Sequence, residues 1–521
     1  MSKDATSYRL ISKDGIEKIE LAGKAFLKIK PEVIVEITRE AFKDMAFYLR
    51  DSHLHKWLKI LQDTEADDNE KFVVGNLLKN AIIASSEELP LCQDTGTATI
   101  MARKGERVLS DSDDKLLFEK GIMEAYRDYN LRYSQVAATS MLVEKNTGNN
   151  LPAQIEINSV PGEEYDFLFM AKGGGSTNKT FLSMESKSLL TDENLEKFLR
   201  AQIGKIGVAA CPPYYLGIVV GGTSPEANLK ILKLATAGAL DNLPTRGDGS
   251  GKPFRDLKWE KKAAQIAQET GLGAQFGGKY LAMDVKVVRL SRHAGSCPVS
   301  LGVSCSAHRN LKGRITADGV FLEELVKDSV KFMNKLAKLP ELAAKRINLD
   351  QPLDKVREKL SKLTAGSLVL LNGSLIVARD IAHARIAVEL RKNGHVSSWF
   401  KNYPVYYAGP AKTPEGQPIG SFGPTTAQRM DVYLPELMAA GGSLITLAKG
   451  NRSSKVTAAC KQHGGFYLGT IGGAAALLAR ENIKSSEIIA FPELGMEAVR
   501  KIEVEDLPAF IVVDDKGNSL Y

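Results

Sequence analysis

The sequence predicts a mixed α/β fold (α+β), with a helix-rich N-terminal domain and a smaller C-terminal β/α domain. Three observations lead there. The chain has 521 residues, more than the roughly 100–200 of one domain. Apolar residues recur three or four apart in some stretches and run unbroken over short lengths in others. A charged, helix-favouring stretch, FLEELVKDSVKFMNKLAKL followed by LDKVREKLSKL, separates two such mixed regions. The division this suggests is 1–330, a helical connector at 331–365, and 366–521.

Taken in order, the first hundred residues read as mostly helical. Over 31–50, Ile34, Ile37, Ala41, Met45 and Tyr48 share one face while Glu36, Arg39, Glu40 and Lys43 fill the other. Pro31 suits the first helical turn. Helices are also predicted at 115–130, at 182–203 and from Pro225 onward, the last behind a Ser224 cap. Short apolar runs at 154–160, 165–172, 216–222 and 282–290 have strand character. Beyond the connector, 367–378, 443–450, 488–494 and 508–514 are strand-like and alternate with helical segments. Asp515-Lys516-Gly517 reads as a turn. No internal repeat or low-complexity tract is present.

Composition narrows the function. Hydrophobic residues make up 44% and charged residues 25%, which is globular usage rather than fibrous or disordered. The net charge of +7 is small beside 69 basic and 62 acidic residues. No Lys/Arg block interleaves with aromatics, so nucleic acid is not expected as a partner. The most apolar stretch, 367–378, is broken by Asn372 and is too short to span a membrane. MSKDATSYRLISKDG resembles neither a secretory signal nor a transit peptide, so the expected location is cytoplasmic. Five cysteines, at 92, 211, 297, 305 and 460, show no disulfide framework. Such thiols are expected to be reduced and available as buried apolar groups, nucleophiles or metal ligands.

Several motifs crowd reactive groups together. Lys172 is followed by Gly173-Gly174-Gly175-Ser176, a run whose backbone N–H groups can approach an anion closely. It lacks the glycine before Lys179 that a phosphate-binding loop needs, and Gly271-Leu272-Gly273 and Gly472-Gly473 miss the dinucleotide spacing. Cys92-Gln93-Asp94-Thr95 puts a thiol, an amide, a carboxylate and a hydroxyl into one loop, a costly group to bury without purpose. No cysteine pair has CxxC spacing, so spacing alone names no metal.

The ordered set CQDTGT, KGGGS-NK, CPP-LG-GGT, RHAGSCPV…SCSAHR, GPTTA-RMD and AKGNRS closely resembles the class I, iron–sulfur fumarate hydratases and runs through nearly the whole chain. The resemblance implies a 4Fe-4S cluster held by Cys92, Cys211 and Cys305 with one iron left open, while Cys297 and Cys460 are packed thiols. It implies reversible hydration of fumarate to (S)-malate, with Arg132, Arg379, Arg429 and Lys449 clamping the dicarboxylate and Gln93 and the Gly175 backbone as neutral partners. Thr425, assisted by Asp94, is the implied base, with Asp94 acting directly as the open alternative. His293 is placed beside the leaving hydroxyl, and His383 is expected to support Arg379 and Asp380. The family likeness further implies a C-terminal domain that swivels, a homodimer, sensitivity to oxygen and a place in the tricarboxylic acid cycle. The rival enzyme reading is tartrate dehydratase or a related dicarboxylate dehydratase. The rival from another class is a nucleotide-binding regulatory protein without a cluster.

Overall fold

A computed structural model of the chain describes residues 6–336 and 342–521. The helix Pro31–Phe47 forms as its periodicity predicts, with Ile34, Ile37, Ala41 and Met45 buried. It is preceded by strands, not helix: Tyr8–Ser12, Ile16–Leu21 and Lys24–Ile29. Ala22 and Gly23 take φ of 52° and 72°, the left-handed pair that closes a tight hairpin between the second and third. Helices Asp51–Gln62 and Asp68–Ala84 follow, so the helical reading of the first hundred residues holds only after residue 30.

Two sheets organise the N-terminal part. The first has six strands, with Tyr165–Lys172 lying between Thr97–Gly105 and Asn310–Thr316 and antiparallel to both. The second has five, with Tyr214–Gly222 between Ala282–Arg292, parallel to it, and Cys297–Ser304, antiparallel. Tyr214–Gly222 is buried along its whole length because both of its faces are covered. Leu216, Ile218 and Val220 meet the helices Asp192–Ile206 and Leu257–Glu269, while Val219 meets Pro225–Thr236. Ser224 caps the last helix by accepting from Ala227 N, as predicted. The predicted helix at 182–203 starts late, because Phe181–Glu185 is an edge strand against Cys297–Ser304.

The third sheet has seven strands and belongs to the C-terminal part. Lys345–Asn348, Leu368–Val377, Val405–Tyr406, Ile445–Ala448 and Phe466–Thr470 run parallel in that order. The long strand Val499–Val513 is antiparallel to both Leu368–Val377 and Phe466–Thr470, so Phe510 pairs with Leu368 on one side and Gly469 on the other. The sheet thereby closes on itself. The stretch 331–365, expected to be helical, contains the strand Lys345–Asn348 as well as the helix Leu353–Leu360, because an open edge of Leu368–Val377 pairs it. Residues 337–341 of that stretch lie outside the described residues. The strand expected at 488–494 ends at Ala490, and Pro492–Glu497 is a helical turn.

One apolar core joins the two parts. Leu54, Trp57, Val73, Leu77 and Leu78 of the early helices are buried together with Leu375, Tyr406, Leu468 and Phe510 of the third sheet. Loop 91–96, which leaves these helices, is thus held against the C-terminal loops. No helix among the described residues is long and apolar enough to cross a membrane.

Candidate active site

The loop that carries Cys92, Gln93 and Asp94 is fixed from below. Tyr126 donates to the carbonyls of Thr95 and Gly96 at 2.9 and 2.8 Å, and the Thr95 hydroxyl accepts from Arg132 N at 2.9 Å. The Asp94 carboxylate accepts from Gly174 N at 2.8 Å and from Gly96 N at 3.2 Å. The anion met by the triple-glycine run is therefore a side chain of the same protein. A Cβ on Gly173 would stand 2.9 Å from Asp94 Oδ2, so the close approach depends on glycine. Burial opposes ionisation of Asp94, but Arg132, Arg309, the Gly174 amide and Lys449 outweigh it and hold the carboxyl below its ordinary range.

Sheet topology brings two more thiols to this place. Cys211 precedes the strand Tyr214–Gly222, and Cys305 follows the antiparallel strand Cys297–Ser304, in which Ser304 faces Tyr215. Both cysteines therefore lie at one end of the second sheet, and Ser306 N donates to the Cys211 carbonyl at 3.0 Å. Cys92 and Cys211 are buried and Cys305 is half-buried. Burial pushes the Cys92 thiol up to about 11, with Arg309 and Lys449 pulling it back and Asp94 and Cys305 adding to it. All three thiols act on the Lys449 ammonium, which lies 3.0 Å from Cys211 Sγ. Among the described residues no three His, Cys, Asp or Glu side chains are grouped to hold a single metal ion.

The C-terminal part supplies the facing wall. Strand Ile445–Ala448 delivers Lys449, whose N–H donates to the Thr425 carbonyl at 3.1 Å, while Ala427 N donates to the Lys449 carbonyl at 2.9 Å. Arg452, its side chain wholly buried, holds the same two loops by donating to the Ala427 carbonyl at 2.8 Å and pairing with Asp431 at 3.1 Å. Gln93 Nε2 donates to the Pro424 carbonyl at 3.2 Å and stitches this wall to the cysteine loop. Arg379 begins the helix Asp380–Asn393, and Asp380 pairs with Arg429 at 2.6 Å. Burial and Arg132 together push the Arg379 guanidinium down to about 10. The Nε atoms of Arg132, Arg309 and Arg379 are buried and without a hydrogen-bond partner. Arg379 also faces Glu497 at 3.5 Å, and Arg132 and Arg309 act on Asp94.

Comparison with known proteins identifies the family. The fumarate hydratase (fumerase) family profile matches residues 35–314, and the fumarase C-terminus profile matches 319–521. "Fumarate hydratase 2" of Leishmania major is 52% identical over 511 residues, 97% of this chain and 89% of that protein. "Fumarate hydratase class I, aerobic" of Escherichia coli is 50% identical over 522 residues, 100% of this chain and 95% of that protein. The chain belongs to the class I fumarate hydratase family. It is a hydro-lyase. A more distant relative, "Putative L(+)-tartrate dehydratase subunit alpha" of Methanocaldococcus jannaschii, is 30% identical over 292 residues, 55% of this chain and 98% of that protein.

In this class I fumarate hydratase the fold gathers Cys92, Gln93, Asp94, Arg132, Gly175, Cys211, Cys305, Thr425 and Lys449 into one neighbourhood, with Arg379 and Arg429 joined to it through Asp380 and Arg132. His293 is not among them. It is exposed in the turn between Ala282–Arg292 and Cys297–Ser304, where its Nδ1 accepts from Gly295 N at 3.1 Å. That turn is at the opposite end of the second sheet from Cys211 and Cys305, a strand length of roughly 25 Å away. His383 lies behind Arg379, near its backbone, with its ring buried edge-on to Tyr407 and Phe400, and burial pushes it down to about 3. Cys297 and Cys460 are buried in apolar surroundings. Sequence reasoning passed over Arg309, which donates to the Asp94 carbonyl at 2.6 Å and acts on Cys92 and Cys305. Its place at the end of the block SCSAHR was the available signal.

Proposed function

We propose that this fumarate hydratase works on a 4Fe-4S cluster held by Cys92, Cys211 and Cys305, and that it interconverts fumarate and (S)-malate. The observation that carries the reading is one neighbourhood of cations and thiols: Lys449 lies 3.0 Å from Cys211 Sγ and is acted on by Cys92 and Cys305, while Arg132 and Arg309 act on Asp94, two residues from Cys92. The donor set fits the cluster. Three soft thiol ligands from separate loops, all acting on Lys449, suit an iron–sulfur cube that takes one thiolate at each of several corners. Gly472 leaves that room, since a Cβ there would lie 2.3 Å from Cys211 Sγ. When bound, the cluster would supply an open Lewis-acidic iron that eases departure of hydroxide without redox change.

The protein's own residues do the rest. Arg132, Arg379, Arg429 and Lys449 hold the two carboxylates, while Gln93 and the Gly175 backbone offer uncharged contacts that fix orientation. In the malate-to-fumarate direction Thr425, assisted by Asp94, takes the proton from C3. The clamp cations stabilise the negative charge that spreads into the adjacent carboxylate. Asp94 is the alternative base, already ionised and held by Gly174 N. His293 lies too far to act in its own subunit, so its role beside the leaving hydroxyl requires a second subunit, as the proposed homodimer provides. The swivelling C-terminal domain at 366–521, the cytoplasmic location and the role in the tricarboxylic acid cycle belong to the same reading.

Anaerobic reconstitution with ferrous iron and sulfide tests it, followed by measurement of fumarate formed from (S)-malate. The expected result is a brown protein whose rate rises with bound iron. Equal turnover by iron-free protein overturns the cluster, and faster turnover of L(+)-tartrate than of (S)-malate favours the tartrate dehydratase reading.

A further inference from the structure

We infer that Gln275 is a positioning residue for the Cys211 thiol, and that the glycine-rich segment 271–278 exists to present it. The inference rests on the reading of Cys211 as a cluster ligand and extends it to a residue that no sequence motif marked.

Gln275 takes a φ of +81°, a conformation that residues with a side chain rarely adopt. The segment around it is shaped for that purpose, with Gly273, Gly277 and Gly278 at φ of +54°, +91° and +102°. Its base is pinned by buried Glu70, which accepts from Ala274 N at 3.3 Å and Tyr280 N at 2.5 Å. The Tyr521 hydroxyl donates to the Gln275 carbonyl, and the Phe276 ring stacks on Phe510 of the third sheet at 4.1 Å.

The side chain held there is 3% exposed and makes three hydrogen bonds. Nε2 donates to the Pro212 carbonyl at 3.0 Å and to the Gly472 carbonyl at 2.9 Å, while Oε1 accepts from Gly472 N at 2.8 Å. The carboxamide thus pairs with both backbone groups of Gly472, which sets its orientation. Pro212 is bonded to Cys211, and Gly472 lies against the Cys211 sulfur so closely that no Cβ would fit. One amide therefore ties the backbone beside the thiol, from the N-terminal part, to the backbone behind it, from the C-terminal part. Cys211 is itself at a φ of +62°, so its direction depends on such outside support.

Glutamine is specific for this task. The isosteric Gln275→Glu keeps the shape but turns the Pro212 and Gly472 carbonyls toward a carboxylate, removing both donated bonds.

The test labels cysteines with iodoacetamide in reduced, cluster-free protein and reads each site by peptide mass spectrometry. In Gln275→Glu the labelling rate of Cys211 is expected to rise about tenfold while those of Cys92 and Cys305 stay near the parent values. In Tyr521→Phe, which loosens the same loop and keeps the amide, Cys211 should rise two- to threefold. After reconstitution, the electron paramagnetic resonance spectrum of the air-oxidised cluster should broaden in Gln275→Glu. Unchanged Cys211 labelling in both variants overturns the inference, as does a parallel rise at all three cysteines. If Gln275→Glu does not fold, Tyr521→Phe decides alone. Failure of the cluster reading would appear separately, as parent protein that takes up no iron.

Discussion

The Lys449 ammonium lies 3.0 Å from the sulfur of Cys211, although the two residues are 238 positions apart and sit beside the ends of strands in different sheets. The contact joins a proposed substrate cation to a proposed cluster ligand. It also places that cation at the boundary between the two halves, where Lys449 N is bonded to Thr425. Burial opposes the Lys449 charge, and the thiols of Cys211, Cys92 and Cys305 more than offset it, so the ammonium is held above its ordinary value.

Replacing any one of Cys92, Cys211 and Cys305 by Ser is expected to abolish iron binding and turnover together. Cys297→Ser and Cys460→Ser should retain both, since those thiols are buried in apolar surroundings away from the site. Iron content and malate turnover of the five variants check this. A fully iron-loaded, active Cys211→Ser enzyme contradicts the ligand assignment.

An iron open to substrate is open to oxidants too. Aeration is expected to inactivate the reconstituted enzyme, and ferrous iron with a thiol reductant should restore it. Undiminished turnover after prolonged aeration with a chelator present argues against a catalytic cluster.

Glu70 gives a pH prediction away from the catalytic groups. It is fully buried and its Oε2 has no partner. Burial, partly opposed by the Tyr280 amide, raises its pKa above the ordinary 4.5. The folded state then holds a proton that the unfolded state releases, so stability falls as pH rises from 4.5 through the raised value. Glu70→Gln removes that proton linkage. Thermal unfolding of the two proteins across this window should show the parent losing stability relative to the variant as pH rises. Parallel pH curves contradict the assignment.

His293 is expected to act only across a subunit contact. His293→Ala and Cys211→Ala proteins, each inactive alone, should regain activity when co-refolded, with about a quarter of the parent activity for random pairing into dimers. No recovery in confirmed mixed dimers rules out a contribution in trans.

Regular elements were legible where burial is one-sided or complete. The helix Pro31–Phe47 shows its face in the spacing of Ile34, Ile37 and Ala41, and the strand Tyr165–Lys172 shows its depth as an apolar run. Phe181–Glu185 was not legible, because an edge strand buries little and FLSME alternates no more clearly than a helix end. The site's chemistry was visible as blocks crowded with Cys, Asp and Gly. Gln275 and Arg309 were not, since their meaning lies in partners at Gly472 and Asp94, which only the folded chain brings near. The block that contains His293 also holds Cys305, but the strand between the two puts His293 elsewhere.

The division of labour between Thr425 and the clamp is open to kinetics. A base acts chiefly in the transition state, whereas a clamp also binds the ground state. Thr425→Ala is expected to lower kcat by about 10²-fold or more with little change in KM, as loss of a general base does. Arg429→Ala and Lys449→Ala should raise KM as well. Lys449→Ala also removes the cation beside Cys211, so each rate must be compared at equal iron content. The same holds for Asp94→Ala, since Asp94 is two residues from Cys92 and organises Gly96 and Gly174. If iron-loaded Thr425→Ala turns over malate near the parent rate while iron-loaded Asp94→Ala is dead, Thr425 is not the base. The proton then goes to Asp94, whose carboxylate Arg132, Arg309 and the Gly174 amide keep ionised.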